Sequence, residues 1–552
     1  MTMIIKKYGL KIFLAVSAAF TLCSCSDFFN PDSSDMLKES DYVGETTELY
    51  SGYFGLASLV QDVADQAVFL EGLRSDFLEP TLNAPQEMWD IYSYKTDLQG
   101  NHLANPKGYY AIINSANDYL FHLKAYQKAN PRALTEEVFA GLGGGAIRFK
   151  VWAYMMLAKI YGEAKLIDEP VTGLTDINRF QTIGFDQIIT QCIYWMTTDD
   201  FGYQGVHSVR WSKSEAILIP GKTESASDLE WNRVTPHPNA LLAELNLWAA
   251  NYGETVSQCI AILNEGALES SYMVTNSEWN SEWMKFGSQF TRKEHVNVAF
   301  FDYAYHQTNR IIKYFSNNYP NEYLLRPTEA AMARFNAQIR GDGQKGDLYR
   351  GEGRTFKKVN GEYVVQKFLS GHETSTTIFR NDVLISLYRA SDIFLFLAEA
   401  LNNLGRFEEA YVFLNGGIGN YFDSNKGVFI GPFADKGYPT ALYDPKSPML
   451  GVRGRVSMGI IGSLDQEKLT TGADSLRFIA KMDSVYVEET ILESAGESRG
   501  LFAMIRNARK YPEMQAVWAK KVSAKYSDGG AGIENKLASD IDNWFIKYNL
   551  SE

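Results

Sequence analysis

The chain repeats apolar residues at helical spacing over most of its length. From about Tyr42 onward, most long segments place them at i, i+3, i+4 and i+7 and few alternate strictly with polar residues. Such spacing puts the apolar side chains on one face of an α-helix. We therefore predict an all-α, mainly helical fold, with helices at Thr46–Val63, Gly108–Tyr126, Ala146–Tyr161, Phe185–Met196, Asn239–Ala250, Thr255–Asn264, Asp382–Leu404, Phe407–Leu414 and Asp474–Arg509.

Two predicted helix pairs resemble tetratricopeptide repeats. They cover Ala240–Thr255 and Ala398–Ala410, and each has a small residue in both helices, which lets the two axes approach closely. The turns contain an aromatic residue, Tyr252 or Phe407, that we expect to fill the elbow. The pairs are unevenly spaced, so we expect a globular body with embedded helical hairpins rather than a regular solenoid.

Long insertions separate the predicted hairpins, at residues 202–238, 265–380 and 415–471. They are rich in Gly, Pro, Asn and aromatic residues, and long ordered loops on a scaffold commonly carry function. Within the second insertion, Arg354–Phe368 contains two strand-like runs that meet at Asn360-Gly361. This pattern predicts a β-hairpin.

The N-terminus has the pattern of a lipoprotein signal peptide. Cations precede the apolar run Ile12–Leu22, which is too short for the ~20 residues of a membrane-spanning helix. The segment Leu22-Cys-Ser-Cys25 resembles a bacterial lipobox, so we predict cleavage after residue 24 and acylation of Cys25; a plain secreted protein is the alternative. Acyl chains hold a protein at a bilayer, and residues 25–41 would form the tether.

Charge and motifs exclude several functions. The net charge of −13 argues against a nucleic-acid partner. Gly141–Ala146 matches a dinucleotide-binding glycine pattern but follows a helix-like segment instead of a strand, and Ala216–Thr223 departs from a phosphate-binding loop. His372–Thr376 lacks the second histidine of a zinc-protease helix. We predict no catalytic residues, no metal site and no cofactor.

Aromatic residues make up 13% of the chain, and several stand among polar residues in loop-like sequence. Such rings often fill a core, but a flat ring can also pack on the C–H face of a sugar while amides and carboxylates bind its hydroxyl rim. Trp279-Asn-Ser-Glu-Trp283 offers that combination, and Asp76–Trp89 is a second candidate segment. The ligand-binding candidates are Asp76, Trp89, Tyr92, Trp279, Asn280 and Trp283.

Four segments together resemble the RagB/SusD family of nutrient-binding lipoproteins of the Bacteroidetes. The resemblance covers nearly the whole mature chain and departs from the family pattern at Gly144-Gly145, at Gly162–Leu166 and in the late segment Ala495–Arg506. The segments that carry it are Cys25 to Pro31 with Glu48–Leu56, Trp89–Asn117, Ala146–Gly162, and Val383–Asp392 with Ala398–Gly405.

The resemblance implies a SusD-like body on tetratricopeptide-like hairpins, as a single domain over 42–552 with an N-terminal part at 42–264 and a C-terminal part at 265–552. It also implies a lipid-anchored protein on the outward face of the outer membrane. Such a protein captures an oligosaccharide without enzymatic activity and delivers it to a SusC-like TonB-dependent porin. Three alternatives stay open: a peptide or another nutrient as ligand, a porin-gating subunit without a ligand, and a glycoside hydrolase with a close pair of pocket carboxylates.

Overall fold

The computed structural model describes most of the chain after the N-terminal segment. It covers residues 43–171, 179–197, 233–268, 293–374, 376–378, 380, 382–443, 449–463 and 469–548, with the single residues 272, 283, 287 and 291. Within residues 136–161 the side chain of Glu137 is not described. The predicted signal peptide, Cys25 and the tether lie outside the described residues.

The described chain is mainly helical, which confirms the predicted fold class. Its helices are α1 (Thr46–Arg74), α2 (Gln86–Tyr92), α3 (Lys107–Ala129), α4 (Glu136–Tyr161), α5 (Phe185–Thr197), α6 (Pro238–Trp248), α7 (Tyr252–Leu268), α8 (Ile311–Phe315), α9 (Glu329–Ala337), α10 (Ala390–Asn403), α11 (Phe407–Leu414), α12 (Val452–Arg455), α13 (Gly472–Glu493), α14 (Gly500–Lys510), α15 (Pro512–Ser523) and α16 (Gly530–Ser539).

The strands of the described chain form small antiparallel pairs. The pairs are β1 (Leu78–Pro80) with β5 (Leu325–Pro327), β2 (Glu163–Lys165) with β3 (Thr182–Gly184), β4 (His295–Phe301) with β8 (Val383–Arg389), β6 (Lys357–Val359) with β7 (Glu362–Val364), and β9 (Phe422–Asp423) with β10 (Val428–Phe429). The predicted β-hairpin is β6–β7. Asn360 and Gly361 at its turn have φ of 52° and 91°, as a two-residue turn with two left-handed positions requires.

The two predicted helix pairs are present as α6–α7 and α10–α11, and α7 packs on α10. The small residues at their contacts are fully buried, as close approach of the axes requires: Ala243, Thr255, Ala398 and Ala410. Tyr252 begins α7 and Phe407 begins α11, where the Phe407 ring packs edge-on against Phe478 at 4.9 Å. The tetratricopeptide-like interpretation of these segments is therefore confirmed.

Several predicted helices have the wrong bounds: Thr46–Val63 continues to Arg74, Ala146–Tyr161 begins already at Glu136, and two others are interrupted. Val383–Arg389 was predicted as helix but forms β8, and the helix begins only at Ala390. Every residue of β8 is buried, so the strand shows no alternation that would separate it from a buried helix. The predicted helix Asp474–Arg509 is divided into α13 and α14 by a turn in which Gly496 and Ser498 have positive φ.

The glycine motif Gly141–Ala146 lies inside α4, not at the start of a helix. Gly145 is needed there because a Cβ atom would lie 2.1 Å from the Tyr53 hydroxyl oxygen of α1. Close packing of α1 on α4 thus explains this glycine, and a dinucleotide-binding turn is not formed.

A buried cluster of ion pairs joins the second half of the chain. Glu489 and Glu493 on α13 accept hydrogen bonds from Arg350 at 2.6 and 3.0 Å. Arg389 at the end of β8 donates to Glu294 at 2.8 Å and to Glu497 at 2.6 Å. These side chains are almost wholly shielded from solvent, so each charge depends on its partners. We call this set, together with Arg453 and Arg455, the buried ion cluster.

No helix in the described part of the chain is both long and apolar enough to cross a bilayer.

Candidate functional site

A solvent-open cleft of about 500 Å³ lies within the second predicted insertion, beside helix α8. Its size falls within the ~300–1,000 Å³ typical of small-molecule sites. One aromatic ring, several amides and two cations contribute to its lining: Tyr303, Gln307, Asn309, Lys313, Asn321 and Arg380.

The first wall of the cleft is a single helical turn that follows β4. Asp302 caps this turn by accepting a hydrogen bond from the Ala304 amide at 2.7 Å, and the Asp302 amide donates to the Gln307 side chain at 2.9 Å. The Tyr303 amide donates to Asp382 at 2.9 Å, which joins the turn to the start of β8. These bonds hold Tyr303 at the cleft although its side chain is exposed.

The floor of the cleft is helix α8, which is anchored to the core. Ile312 lines the cleft, and Ile311 and Phe315 are buried beneath it. Arg310, just before α8, donates from its backbone amide and its Nε to Asp65 of α1 at 2.8 and 3.0 Å. Because Asp65 is buried, this ion pair fixes α8 against the longest helix.

The second wall is the turn that follows α8. Asn321 donates from its backbone amide to the Asn318 carbonyl at 3.0 Å, and its side chain donates to the Ile378 carbonyl at 3.4 Å. Tyr319, within this turn, is 89% exposed. Lys313 pairs with Glu322 at 2.8 Å, and this hydrogen bond raises the pKa of the lysine. The cleft therefore stands between two turns held by hydrogen bonds.

The arrangement suits a neutral polyhydroxylated ligand. Tyr303 lines the cleft, and Tyr305 and Tyr319, each next to a lining residue in the sequence, are 78% and 89% exposed. The Arg380 guanidinium lies 5.9 Å from the Tyr303 ring centroid and pairs with Asp382. Exposed rings can pack on apolar sugar faces, while the amides of the lining can bind hydroxyl groups.

Asp76 is a buried ion-pair partner. Its side chain is 1% exposed and pairs with Arg334 of α9, whose pKa burial lowers to about 10. The Asp76 carbonyl accepts a hydrogen bond from the Thr328 hydroxyl. The carboxylate thus joins two parts of the fold and is not exposed to a ligand.

Trp89 and Tyr92 lie on α2, where their rings meet edge to face at 5.9 Å. Tyr92 is buried against Tyr526 at 4.7 Å, and the Lys525 ammonium lies 4.5 Å from its ring centroid. Trp89 is half-buried. Of this predicted pair, only Trp89 keeps surface that a ligand could reach.

Trp283 has 0% exposed surface and packs with Val456 and Met458. The Lys367 ammonium lies 4.2 Å from its ring centroid. A ring without an exposed face offers no platform for a sugar, so the structure places Trp283 in a packing role. Trp279 and Asn280 lie outside the described residues.

The predicted segment Asp76–Trp89 nevertheless borders the cleft region. Strand β1 pairs with β5, the Thr81 amide donates to the Leu324 carbonyl at 2.8 Å, and the Asn83 side chain donates to the Glu322 carbonyl at 3.1 Å. At the tip of this loop Leu82 is 99% exposed. An apolar side chain so exposed adds contact surface beside the second wall.

Tyr303, Tyr305 and Tyr319 are not among the residues predicted from the sequence, in which the tryptophan-containing segments stand out. The signal of these tyrosines is nonetheless present in Asp302–Asn309 and Ser316–Asn321, where aromatics alternate with Asn, Gln and His and no helical period continues. Rings in turns made of amides are poor candidates for core packing.

Carboxylates and possible metal ligands can be assessed among the residues that the structure describes. No Asp or Glu is among the described residues that line the cleft, so it offers no carboxylate pair. Elsewhere in the described residues, no group of three or more His, Cys, Asp or Glu could hold a metal ion.

Comparisons with known proteins give a consistent fold. No family model matches the chain, and no curated protein matches its sequence. Among solved structures, a SusD superfamily protein from Bacteroides vulgatus ATCC 8482 is 14% identical with a TM-score of 0.56, covering 88% of this chain and 94% of its own. A SusD-like carbohydrate binding protein from the same organism is 14% identical with a TM-score of 0.53, covering 84% of each chain. A laminarin binding SusD-like protein is 13% identical with a TM-score of 0.54, covering 89% of this chain and 96% of its own. The chain therefore has the fold of the SusD superfamily, as the sequence resemblance implied.

Proposed function

We propose that the protein is a non-enzymatic, cell-surface lipoprotein that binds an oligosaccharide and delivers it to a SusC-like TonB-dependent porin of the outer membrane. The observation that carries the proposal is the cleft beside α8, whose lining combines the exposed Tyr303 ring with the amides of Gln307, Asn309 and Asn321, and next to which in the sequence stand the exposed Tyr305 and Tyr319. Two solved structures of the same fold support the proposal, because one is named a carbohydrate binding protein and the other a laminarin binding protein.

The expected affinity follows from the three exposed rings. Stacking on an exposed ring contributes ~1–3 kcal/mol, by analogy with bases on aromatic side chains. Dissociation constants from about 1 mM to 1 μM correspond to about −4 to −8 kcal/mol. Two or three stacked rings with rim hydrogen bonds therefore suffice for binding in this range. Such modest affinity suits a protein that must release its cargo to a transporter.

The binding test is a glycan and peptide array probed with the chain from Ser26 onward, with laminarin-derived oligosaccharides among the glycans. Each glycan that binds is then measured by isothermal titration calorimetry. We expect Tyr303→Ala and Tyr319→Ala each to weaken binding about tenfold, equal to about 1.4 kcal/mol. Tyr194→Ala is the matched control, because Tyr194 is an exposed tyrosine on α5 outside the cleft.

Three results would contradict the proposal. Binding of peptides alone would assign a different cargo, and unchanged glycan affinity in both cleft variants would move the site elsewhere. In the second case Trp89→Ala and Trp279→Ala test the remaining sequence candidates. Release of reducing ends during incubation would show an enzyme instead of a binding protein.

The location and the partner need separate tests. We expect Cys25 to be acylated, so Cys25→Ala should abolish labelling by a palmitate analogue and release the protein from the membrane fraction. Added protease should digest the wild-type protein on intact cells if it faces outward. Co-purification of a TonB-dependent porin, identified by mass spectrometry, is the expected result for the partner. A labelled Cys25→Ala protein or a protease-protected wild type would contradict these assignments.

A further inference from the structure

A second cleft, of about 270 Å³, lies on the other side of the turn that contains Tyr319. Its apolar floor includes Val364 and Leu369, both buried, and Val359 beside them. Polar groups at its edge include Lys357 and Asn318. Most of the residues that line this cleft are polar, and their hydrogen-bonding groups suit a ligand rich in hydroxyl groups.

The polar groups of this second cleft are fixed in place by the fold. Gln366 donates to the Glu373 carboxylate at 2.9 Å, and Lys357 pairs with the same carboxylate at 3.2 Å. The Asn317 side-chain nitrogen donates to the Val359 carbonyl at 2.6 Å. The Asn317 side-chain oxygen is buried and accepts no hydrogen bond from the described residues. A buried acceptor of this kind is stabilised by a donor such as a ligand hydroxyl group.

The two clefts share one short segment of chain. Lys313, Pro320 and Asn321 line the first cleft, whereas Asn317 and Asn318 line the second. Tyr319 lies between these two sets in the sequence and is 89% exposed, so we place its ring on the ridge that separates the clefts. The Asn360 side chain at the β6–β7 turn donates to the Asn318 side-chain oxygen at 3.0 Å, which holds the ridge against the hairpin.

We propose that the second cleft continues the glycan site, so that a linear oligosaccharide occupies the first cleft, passes over the Tyr319 ring and places its following sugars in the second. This inference rests on the proposed function and adds to it the class of ligand: a chain bound along its length rather than by one end. Both clefts together remain within the ~300–1,000 Å³ of ordinary ligand sites.

The test is a length series. Ladders of glucose, mannose and xylose oligosaccharides, from disaccharide to octasaccharide, are titrated by calorimetry against the wild-type chain from Ser26. In the sugar series that the protein binds, we expect the octasaccharide to bind about tenfold more tightly than the trisaccharide. The double variant Lys357→Ala/Glu373→Ala, at two residues that line the second cleft but not the first, should lose most of this gain while keeping its trisaccharide affinity within twofold, which also shows that it is folded.

Lys358→Ala is the matched control. Lys358 is the next residue of β6, points to the opposite face of the strand and does not line the second cleft. It should behave like wild type at every length. Equal affinity for all lengths, or a length gain that survives in the double variant, would overturn the inference while leaving a glycan site at the first cleft. Absence of binding to every ladder would count against both proposals.

Discussion

Replacement of Trp283 by alanine separates a packing role from a binding role. The Trp283 side chain has no exposed surface and fills a small cluster with Val456 and Met458. Removing a buried tryptophan side chain costs about 3–5 kcal/mol, the lost transfer energy plus that of the cavity. The Lys367 ammonium at 4.2 Å from the ring would also lose a cation–π contact of about 0.5–2 kcal/mol. Typical domains unfold with only ~5–15 kcal/mol, so the loss is large.

The assay is urea unfolding followed by far-ultraviolet circular dichroism, because loss of a tryptophan would itself alter fluorescence. We expect a lower midpoint with an unchanged slope, which indicates a change of stability alone. Glycan affinity, measured well below the midpoint and corrected for the folded fraction, should stay within twofold of wild type. Tyr319→Ala should show the reverse pattern, since a surface substitution changes stability by about 0.5 kcal/mol or less.

One combination of results would refute this reasoning. If Trp283→Ala unfolds at the wild-type midpoint and no longer binds glycan, the ring is a binding platform and its burial in the structure does not describe the functional state. If both stability and affinity fall, Trp283→Phe, which retains more of the buried volume, shows whether the loss of affinity follows the loss of stability.

Three further predictions concern buried charges. Glu493→Gln removes a carboxylate from the buried ion cluster and should lower the free energy of unfolding by about 3–5 kcal/mol; a loss below about 1 kcal/mol in the urea assay would contradict the cluster. Burial raises the pKa of Glu244, but Lys159 at 2.6 Å outweighs it and lowers that pKa to about 2, below the ordinary 4.5. Its stabilisation is thus complete above pH 4.5 and lost as the pH falls toward 2, so Glu244→Gln should flatten the acid limb of stability against pH. Glu71 has the opposite sign, because burial raises its pKa from 4.5 to about 7 and the folded chain retains a proton that the unfolded chain releases. Stability should fall as the pH rises from 4.5 to 7, and Glu71→Gln should remove that slope; an unchanged slope would contradict the shift.

Local periodicity predicted the amphipathic helices but not the buried strand β8. Helices such as α3 and α5 each bury one side and expose the other, so the helical period is visible in sequence. In Val383–Arg389 all seven side chains are buried, and apolar residues follow one another without a period. Its partner β4 lies about eighty residues earlier, and no local pattern records that pairing.

The acidic residues of α13 show the same limit. Glu489 and Glu493 are four residues apart, a spacing that by itself indicates a solvent-exposed helix face. The structure buries both because Arg350, more than a hundred residues away in the sequence, donates to them. Compensation of charges across such a separation is a property of the tertiary fold, so the sequence cannot distinguish an exposed acidic stripe from a buried one.

The sequence predicted the insertion that contains the candidate cleft but not the aromatic residue that lines it. Amino-acid composition distinguishes loops from helices, but it does not show which rings in a loop are exposed. The second insertion was expected to carry function, and the candidate cleft lies within it. Among the aromatic residues, the predicted Trp283 is buried, whereas Tyr319, which was not predicted, is exposed. Side-chain size predicts the apolar area available for burial, but only the neighbours decide whether a ring is covered.

Pairing of β1 with β5 explains why the first residues of the predicted segment Asp76–Trp89 are inaccessible. Leu78 lies opposite Pro327, which brings the loop after β1 against the turn after α8. Asp76 is buried by its pairing with Arg334, whereas Leu82, Asn83, Pro85 and Gln86 of the segment are exposed and Trp89 is half-buried. The helix contacts of the scaffold need only small residues and a helical period of apolar residues. Many different sequences meet this requirement, in agreement with a fold shared at 14% identity. The exposed residues of this loop are free of those packing demands, so they can vary without loss of the fold.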